Sequence, residues 1–186
     1  VMSVSLRCYS TSLGCPKNRV DTERLLGSLG VALVPVESPD EAELVFINTC
    51  AFIQPATEES VRTIAQAIAD IEELPKRPLL AVAGCLVGRY HAEDLAPELP
   101  EVDLWLDNSD LEAWPAMLAR KLGLPEPTVP GRILSTGPSY AWLKISDGCR
   151  HACSFCAIPN IRGGHRSHCK DMIVREARAL LDQGVK

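Results

Sequence analysis

The sequence predicts an α/β fold: a parallel sheet with helices on both faces, followed beyond a linker by the opening of a second unit. Three observations carry that expectation. Short apolar runs without alternation, Leu44–Asn48 and Leu79–Ala83, read as strands covered on both faces. Stretches with helical periodicity, such as Thr57–Glu72, fall between them. From 123 to 138 that rhythm stops, and Pro125, Pro127, Pro130, Gly131, Gly137 and Pro138 punctuate a segment without usable period. The expected division is 1–122, a linker over 123–138, and 139–186.

Taken in order, Val4–Ser10 is the first expected strand. Ser12 to Glu23 turns through Gly, Pro and Asn into a helix with Val20, Leu25, Leu26 and Leu29 as its buried stripe, ended by Gly30. Val31–Val36 is a second strand, residues 39–43 a turn, and Leu44–Asn48 a third strand. In the helix Thr57–Glu72, Val61, Ile64, Ala65, Ile68 and Ile71 share one face, Glu58 and Glu59 suit the first turn, and Pro75 and Pro78 bracket the end. Leu79–Ala83 is a fourth strand, 87–99 a short helix, and Val102–Leu106 a fifth strand. Ser109 or Asp110 can cap a helix carrying Leu111, Trp114, Leu118 and Leu122. Beyond the linker, Tyr140–Ser146 reads as a strand. Asp171–Gln183 reads as a helix capped by Asp171, with Ile173, Ala177, Leu180 and Leu181 inward and Gly184 at its end.

Composition narrows the class. Of 186 residues, 46% are hydrophobic and 23% charged, which suits a packed core and excludes a disordered composition. No apolar run approaches the roughly 18 residues of a membrane span, and the first residues lack the pattern of a signal peptide. Eight cysteines without an export signal point to a reducing, cytoplasmic setting, where metal or redox roles outrank disulfides. A net charge of −5 gives no strong nucleic-acid signal. Residues 140–170 are locally basic, with Lys144, Arg150, Arg162, Arg166 and Lys170 against Asp147 alone. That is either a solvated face or a seat for an anionic cofactor or substrate.

Six cysteines carry the chemistry. Cys149, Cys153 and Cys156 form a CxxxCxxC run, a loop that gathers three thiolates. Thiolates select zinc, copper(I) or iron–sulfur clusters. Zinc would require a fourth ligand, from His151, His165, His168 or Cys169. A 4Fe–4S cube on three cysteines leaves one iron open for a substrate or cofactor. Cys15, Cys50 and Cys85 each follow an expected strand within a few residues. In a parallel sheet ligands bind outside the carboxyl ends of the strands, so these three distant cysteines can form one site. Cys8 reads as a strand residue.

Tyr140 to Cys149 together with CxxxCxxC, and Phe155 before the last cysteine, resembles the radical S-adenosylmethionine (SAM) signature. Ser12-Leu-Gly-Cys-Pro-Lys-Asn18, Val20-Asp-Thr-Glu23, Ile47-Asn-Thr-Cys50 and Ala83-Gly-Cys85 resemble the N-terminal domain of the methylthiotransferases. The resemblance implies a radical SAM βα (TIM-like) barrel opening at 139, and two 4Fe–4S clusters. One, on Cys149, Cys153 and Cys156, would bind and cleave SAM to a 5′-deoxyadenosyl radical, with Phe155 near the adenine. The other, on Cys15, Cys50 and Cys85, would hold or donate sulfur, and a second SAM would supply the methyl group. An electron donor such as flavodoxin or ferredoxin is implied.

Pro16-Lys17-Asn18 and the continuation Phe52…Glu58-Glu59-Ser60 resemble the branch that modifies an aspartate β-carbon in the twelfth protein of the small ribosomal subunit. The acidic charge also suits a basic protein substrate better than RNA. The alternatives are the branch that modifies a tRNA adenosine beside the anticodon, and a non-catalytic iron–sulfur module. The sequence departs from the family at Arg166-Ser167-His168, where the family has Arg-Ser-Arg, and at Cys169. One strand and one helix after the linker cannot close a barrel, so the expectation is an N-terminal portion that is inactive alone.

Overall fold

The computed structural model describes residues 5–186, so the expected start of the first strand at Val4 lies outside the described residues. Five parallel strands form one sheet in the order β2-β1-β3-β4-β5: β1 Ser5–Ser12, β2 Ala32–Pro35, β3 Leu44–Thr49, β4 Leu79–Gly84 and β5 Leu104–Asp107. β3 is central and every one of its residues is buried, which explains its unbroken apolar run. Its side chains still alternate between faces. Leu44 and Phe46 join Leu25, Leu26, Leu29, Trp114 and Leu118 beneath helices α1 (Pro16–Ser28) and α5 (Trp114–Leu122). Val45 and Ile47 join Ile64, Ile71, Leu86 and Val87 beneath α2 (Gln54–Ile71) and α3 (Cys85–Tyr90). Helices therefore cover both faces, and two cores sandwich the sheet.

Strand order places the crevice. From β1 the chain moves outward through α1 to β2, and from β3 it moves the other way through α2 to β4. The reversal between β1 and β3 is where open α/β sheets bind ligands.

Several expectations are corrected. In α2 the buried positions are Thr57, Ser60, Ile64, Ala67 and Ile71, while Val61 is 43% exposed and Ala65 also faces solvent. The inward face is rotated because the Ser60 hydroxyl is needed inside. The short helix after β4 starts at Cys85 itself, breaks at His91 and resumes as α4 (Ala92–Leu95). α5 itself starts at Trp114 without a side-chain cap at Ala113, but Asp110 accepts from the Ala113 amide at 3.1 Å in the turn just ahead of it, and Asp107 accepts from the Ser109 amide at 2.6 Å in a 3-10 turn, Asn108–Asp110.

Beyond 122, Tyr140–Ser146 is not a strand. Only β6 (Ser146–Asp147) pairs, antiparallel, with β7 (Arg166–Ser167). Ile145 only accepts from the His168 amide at 2.9 Å, and residues 140–144 have no neighbouring strand among those described; a strand without a ladder has nothing to hold it. The loop after Cys156 contains a helix that the sequence did not announce, α6 (Ile158–Arg162). α7 (Lys170–Asp182) takes Cys169, not Asp171, at its N-cap, and Leu181 is 63% exposed while Leu180 is buried.

Candidate metal centre

Cys15, Cys50 and Cys85 all sit at the carboxyl ends of strands in the sheet, after β1, β3 and β4 respectively. Cys15 occupies the N-cap position of α1, with Pro16 opening the helix, and is exposed; Cys50 and Cys85 are buried. A web of buried polar contacts fixes this edge. Asn18 Nδ2 donates to the carbonyls of Leu13 and Thr49, both at 2.8 Å, tying the loop after β1 to the end of β3. Asn48 Nδ2 donates to the Asn18 carbonyl at 2.9 Å. Thr49 Oγ1 donates to the Ala83 carbonyl at 2.6 Å and accepts from the Leu86 amide at 3.1 Å. Ser60 Oγ accepts from the Cys50 amide at 3.0 Å and donates to the Cys50 carbonyl at 2.7 Å.

Two glycines are compelled here. Gly14 has φ +82°, and a Cβ on it would lie 2.7 Å from Cys50 Sγ. Gly84 has φ +99°, and a Cβ would lie 2.2 Å from Asn48 Oδ1. Both combine a left-handed backbone with a close approach that only glycine permits.

The thiols interact with one another. A hydrogen bond from Cys85 lowers Cys50 to about 6, the Cys15 charge works against that shift, and Arg162 works with it. Cys85 is pushed up by the same bond and by burial. Cys50 is thus the first of the pair to become a thiolate, the form that ligates metal. Cys8, by contrast, is pushed up to about 12 by burial in the core beneath α1, and packs there as a small apolar side chain.

Among the described residues no three Cys, His, Asp or Glu side chains are gathered around one point as ligands of a single ion. A cube places each thiolate on a different iron, so its ligands need not converge on a point. The donor chemistry, three soft sulfurs from adjacent loops at the crevice with a cation beside them, fits such a group.

Cys149, Cys153 and Cys156 lie on a different kind of support. The Cys149 amide donates to the Gly163 carbonyl at 3.1 Å, and the Cys156 amide to the Cys153 carbonyl at 3.1 Å. Cys153 is exposed, Cys149 and Cys156 are half-buried, and Phe155 is 89% exposed. The loop is closed at its base, where a Cβ on Gly148 (φ +69°) would meet the Gly164 carbonyl oxygen at 2.4 Å. This donor set also fits a cube, with its three sulfurs on one turn of chain.

Two groups of buried charges join these halves. Lys144 donates to Asp21 at 2.6 Å and pairs with Asp147 at 2.5 Å; Arg162 reaches Asp21 at 3.2 Å and Asp147 at 3.1 Å. Lys17 Nζ donates to the Ser146 carbonyl at 2.7 Å. Burial opposes ionisation of Asp147, but Arg162 and Lys144 outweigh it and hold the carboxyl at about 2. Farther along α1, Arg132 pairs with Glu23 at 2.7 Å and Glu176 at 2.8 Å, Arg24 also pairs with Glu176, and the Ser135 amide and hydroxyl donate to Glu23. The sequence placed Lys144 and Arg162 in a local basic excess, either a solvated face or a seat for an anion; both are instead buried against Asp21 and Asp147. Asn18, Asp21 and Ser60 entered the sequence reading only inside family-like motifs, with no structural role, and Asn108 not at all, because no local pattern marks a polar residue that is buried by distant chain.

Residues 7–107, more than half the chain, match the family described as Uncharacterized protein family UPF0004, and the chain belongs to that family. It is 70% identical over 178 residues to a protein of Nitratidesulfovibrio vulgaris (strain DP4) named Ribosomal protein uS12 methylthiotransferase RimO, covering 96% of this chain and 41% of that protein. Proteins of the same name from Oleidesulfovibrio alaskensis and Lawsonia intracellularis are 64% and 57% identical, over 96% and 99% of this chain and 41% and 42% of theirs. The chain therefore spans about two fifths of the length of these curated relatives.

Proposed function

We propose that this member of the UPF0004 family is the N-terminal portion of a radical SAM methylthiotransferase acting on ribosomal protein uS12, at an aspartate β-carbon. The observation that carries this reading is the 70% identity, across 96% of the chain, to a protein of that name. In this reading residues 1–122 form the N-terminal methylthiotransferase domain, 123–138 the linker, and 139–186 the start of the barrel, in a cytoplasmic protein served by flavodoxin or ferredoxin.

Two 4Fe–4S clusters and SAM would supply the radical and the sulfur chemistry. Cys15, Cys50 and Cys85 would hold one cluster, and Cys149, Cys153 and Cys156 the other. The hydrogen bond from Cys85 and burial hold the Cys85 proton in place while that same bond favours the Cys50 thiolate, so loading must displace the Cys85 proton, and Arg162 works toward that loss. Ser60 and Asn18 hold the two loop backbones in place. Phe155, extended into solvent, is free to meet the adenine face of SAM.

Two experiments test this. After anaerobic reconstitution the chain should carry about eight irons, falling to about four in Cys15→Ala/Cys50→Ala/Cys85→Ala and in Cys149→Ala/Cys153→Ala/Cys156→Ala. Zinc in place of iron sinks the reading. A chimera of this chain with the remainder of the Nitratidesulfovibrio relative, given SAM, reductant and small ribosomal subunits, should add one methylthio group to uS12. Modification of tRNA instead overturns the substrate assignment.

A further inference from the structure

We propose that Arg162 and Asn108 are positioning residues of the three-thiol site: Arg162 supplies its compensating positive charge, and Asn108 an N–H···S bond to Cys85. The proposal rests on the reading that Cys15, Cys50 and Cys85 carry an iron–sulfur cluster.

Arg162 belongs to α6, just past the CxxxCxxC loop, yet its guanidinium lies under the other site. It is only 5% exposed. Its Nη2 donates to Asn18 Oδ1, the same oxygen that lies 3.7 Å from Cys85 Sγ. The approach is prepared by α3. A Cβ on Gly88, three residues beyond Cys85, would lie 2.5 Å from the Ile161 carbonyl oxygen, so glycine there lets α6 settle against α3.

The guanidinium has two sides. Its Nη1 meets the carboxylates of Asp21 and Asp147, which Lys144 also meets and which the half-exposed Lys17 joins at Asp147. Its Nη2 turns the other way, to the Asn18 oxygen beside Cys85, so the end of the cation that faces the thiols has no carboxylate on it. An iron–sulfur core on three thiolates is a net anion, and reduction makes it more so. In a buried setting a fixed cation favours the more negative state.

Asn108 provides the second observation. It is buried, its Nδ2 is 3.8 Å from Cys85 Sγ in donor geometry, and its Oδ1 has no partner. A buried amide with one end unsatisfied costs stability, and the end that is used points at sulfur. Hydrogen bonds to cluster sulfurs are among the groups that set its potential. Arg162 also adjoins Gly163, whose carbonyl closes the second loop onto Cys149. The seating of that loop and the charge beside the first site are therefore one piece of structure.

The test is a redox titration of the chain in the Cys149→Ala/Cys153→Ala/Cys156→Ala background, where any remaining cluster belongs to the first site. Arg162→Gln and Asn108→Leu should each lower the reduced-to-oxidised ratio at a fixed potential, Arg162→Gln about tenfold, or about 59 mV more negative for one electron. Arg162→Lys, which keeps the charge, should titrate with the parent. Arg162→Gln that holds its iron and titrates with the parent overturns the proposal. If Arg162→Gln cannot hold iron, Arg162→Lys decides: parental potential upholds the charge, and loss of iron there too overturns it in favour of a purely geometric fork. A parent that binds no iron at this site marks a different failure, that of the cluster reading itself, and the proposal falls with it.

Discussion

The two groups of three cysteines are built in opposite ways. Cys15, Cys50 and Cys85 come from three loops up to 70 residues apart, and the sheet brings them to one edge. Their positions are over-determined by Asn18, Asn48, Thr49, Ser60 and two compelled glycines. Cys149, Cys153 and Cys156 come from eight consecutive residues, closed at the base and open to solvent at the tip. The first site is held by tertiary structure; the second is held by chain proximity. Disturbing the fold should therefore cost the first site much more than the second, and the joint between them should be the most sensitive point of all.

That joint gives the largest expected effect. Asp21 is the carboxylate on α1 that meets both Lys144 and Arg162. Asp21→Ala leaves two buried cations on Asp147 alone, and should cost about 3–5 kcal/mol in denaturant unfolding. A cost below about 1 kcal/mol would mean that the halves do not depend on each other as described.

Next come the glycines. Gly84→Ala places a Cβ against Asn48 and Thr49 at φ +99°, so strain and overpacking add to about 2–4 kcal/mol. Gly163→Ala, at φ +71° and ψ −169° in open space beside the second loop, has only the backbone strain, about 1–3 kcal/mol, and less than Gly84→Ala because nothing is overpacked. Equal costs by urea titration would remove the distinction between an embedded and an open site.

How far the sequence disclosed each region follows from the same contrast. The CxxxCxxC loop is legible because its geometry is its spacing. The other three cysteines are legible only in phase, each following a strand, and that phase survives because the strand order puts β1, β3 and β4 side by side. The fixing residues were not legible. Ser60 breaks the apolar pattern of α2, so a hydrophobic reading turned the helix toward Val61 and Ala65, which face solvent. Arg162 and Lys144 read as a solvated basic face or an anion's seat because Asp147 was the lone acid nearby and their other partner, Asp21, lies more than 120 residues away. Periodicity reports apolar burial and is blind to buried charge.

A smaller effect separates the charged joint from both sites. Asp147 is held at about 2 in the folded chain against an ordinary value of 3.8. Its depressed carboxyl adds stability above about pH 4, and that contribution is lost as the pH falls through about 2. In Asp147→Asn the overall stability is lower at neutral pH, and its decline between pH 4 and pH 2 is shallower than in the parent. Parallel acid profiles for the two proteins would show that Asp147 is not the paired group.

The smallest effect is expected at Phe155. An aromatic side chain that is 89% exposed buries almost nothing, so Phe155→Ala should change folding stability by less than about 0.5 kcal/mol. It also lies between Cys153 and Cys156 without lending them a hydrogen bond, so iron at the loop should be retained. That near-silence makes it informative. If the ring serves SAM, its removal weakens SAM binding by calorimetry while unfolding and iron content stay put, a pattern that no folding defect produces. A loss of stability above about 1 kcal/mol would mean that the ring packs against the fold, and the loop would then resemble the embedded site more than its exposure implies.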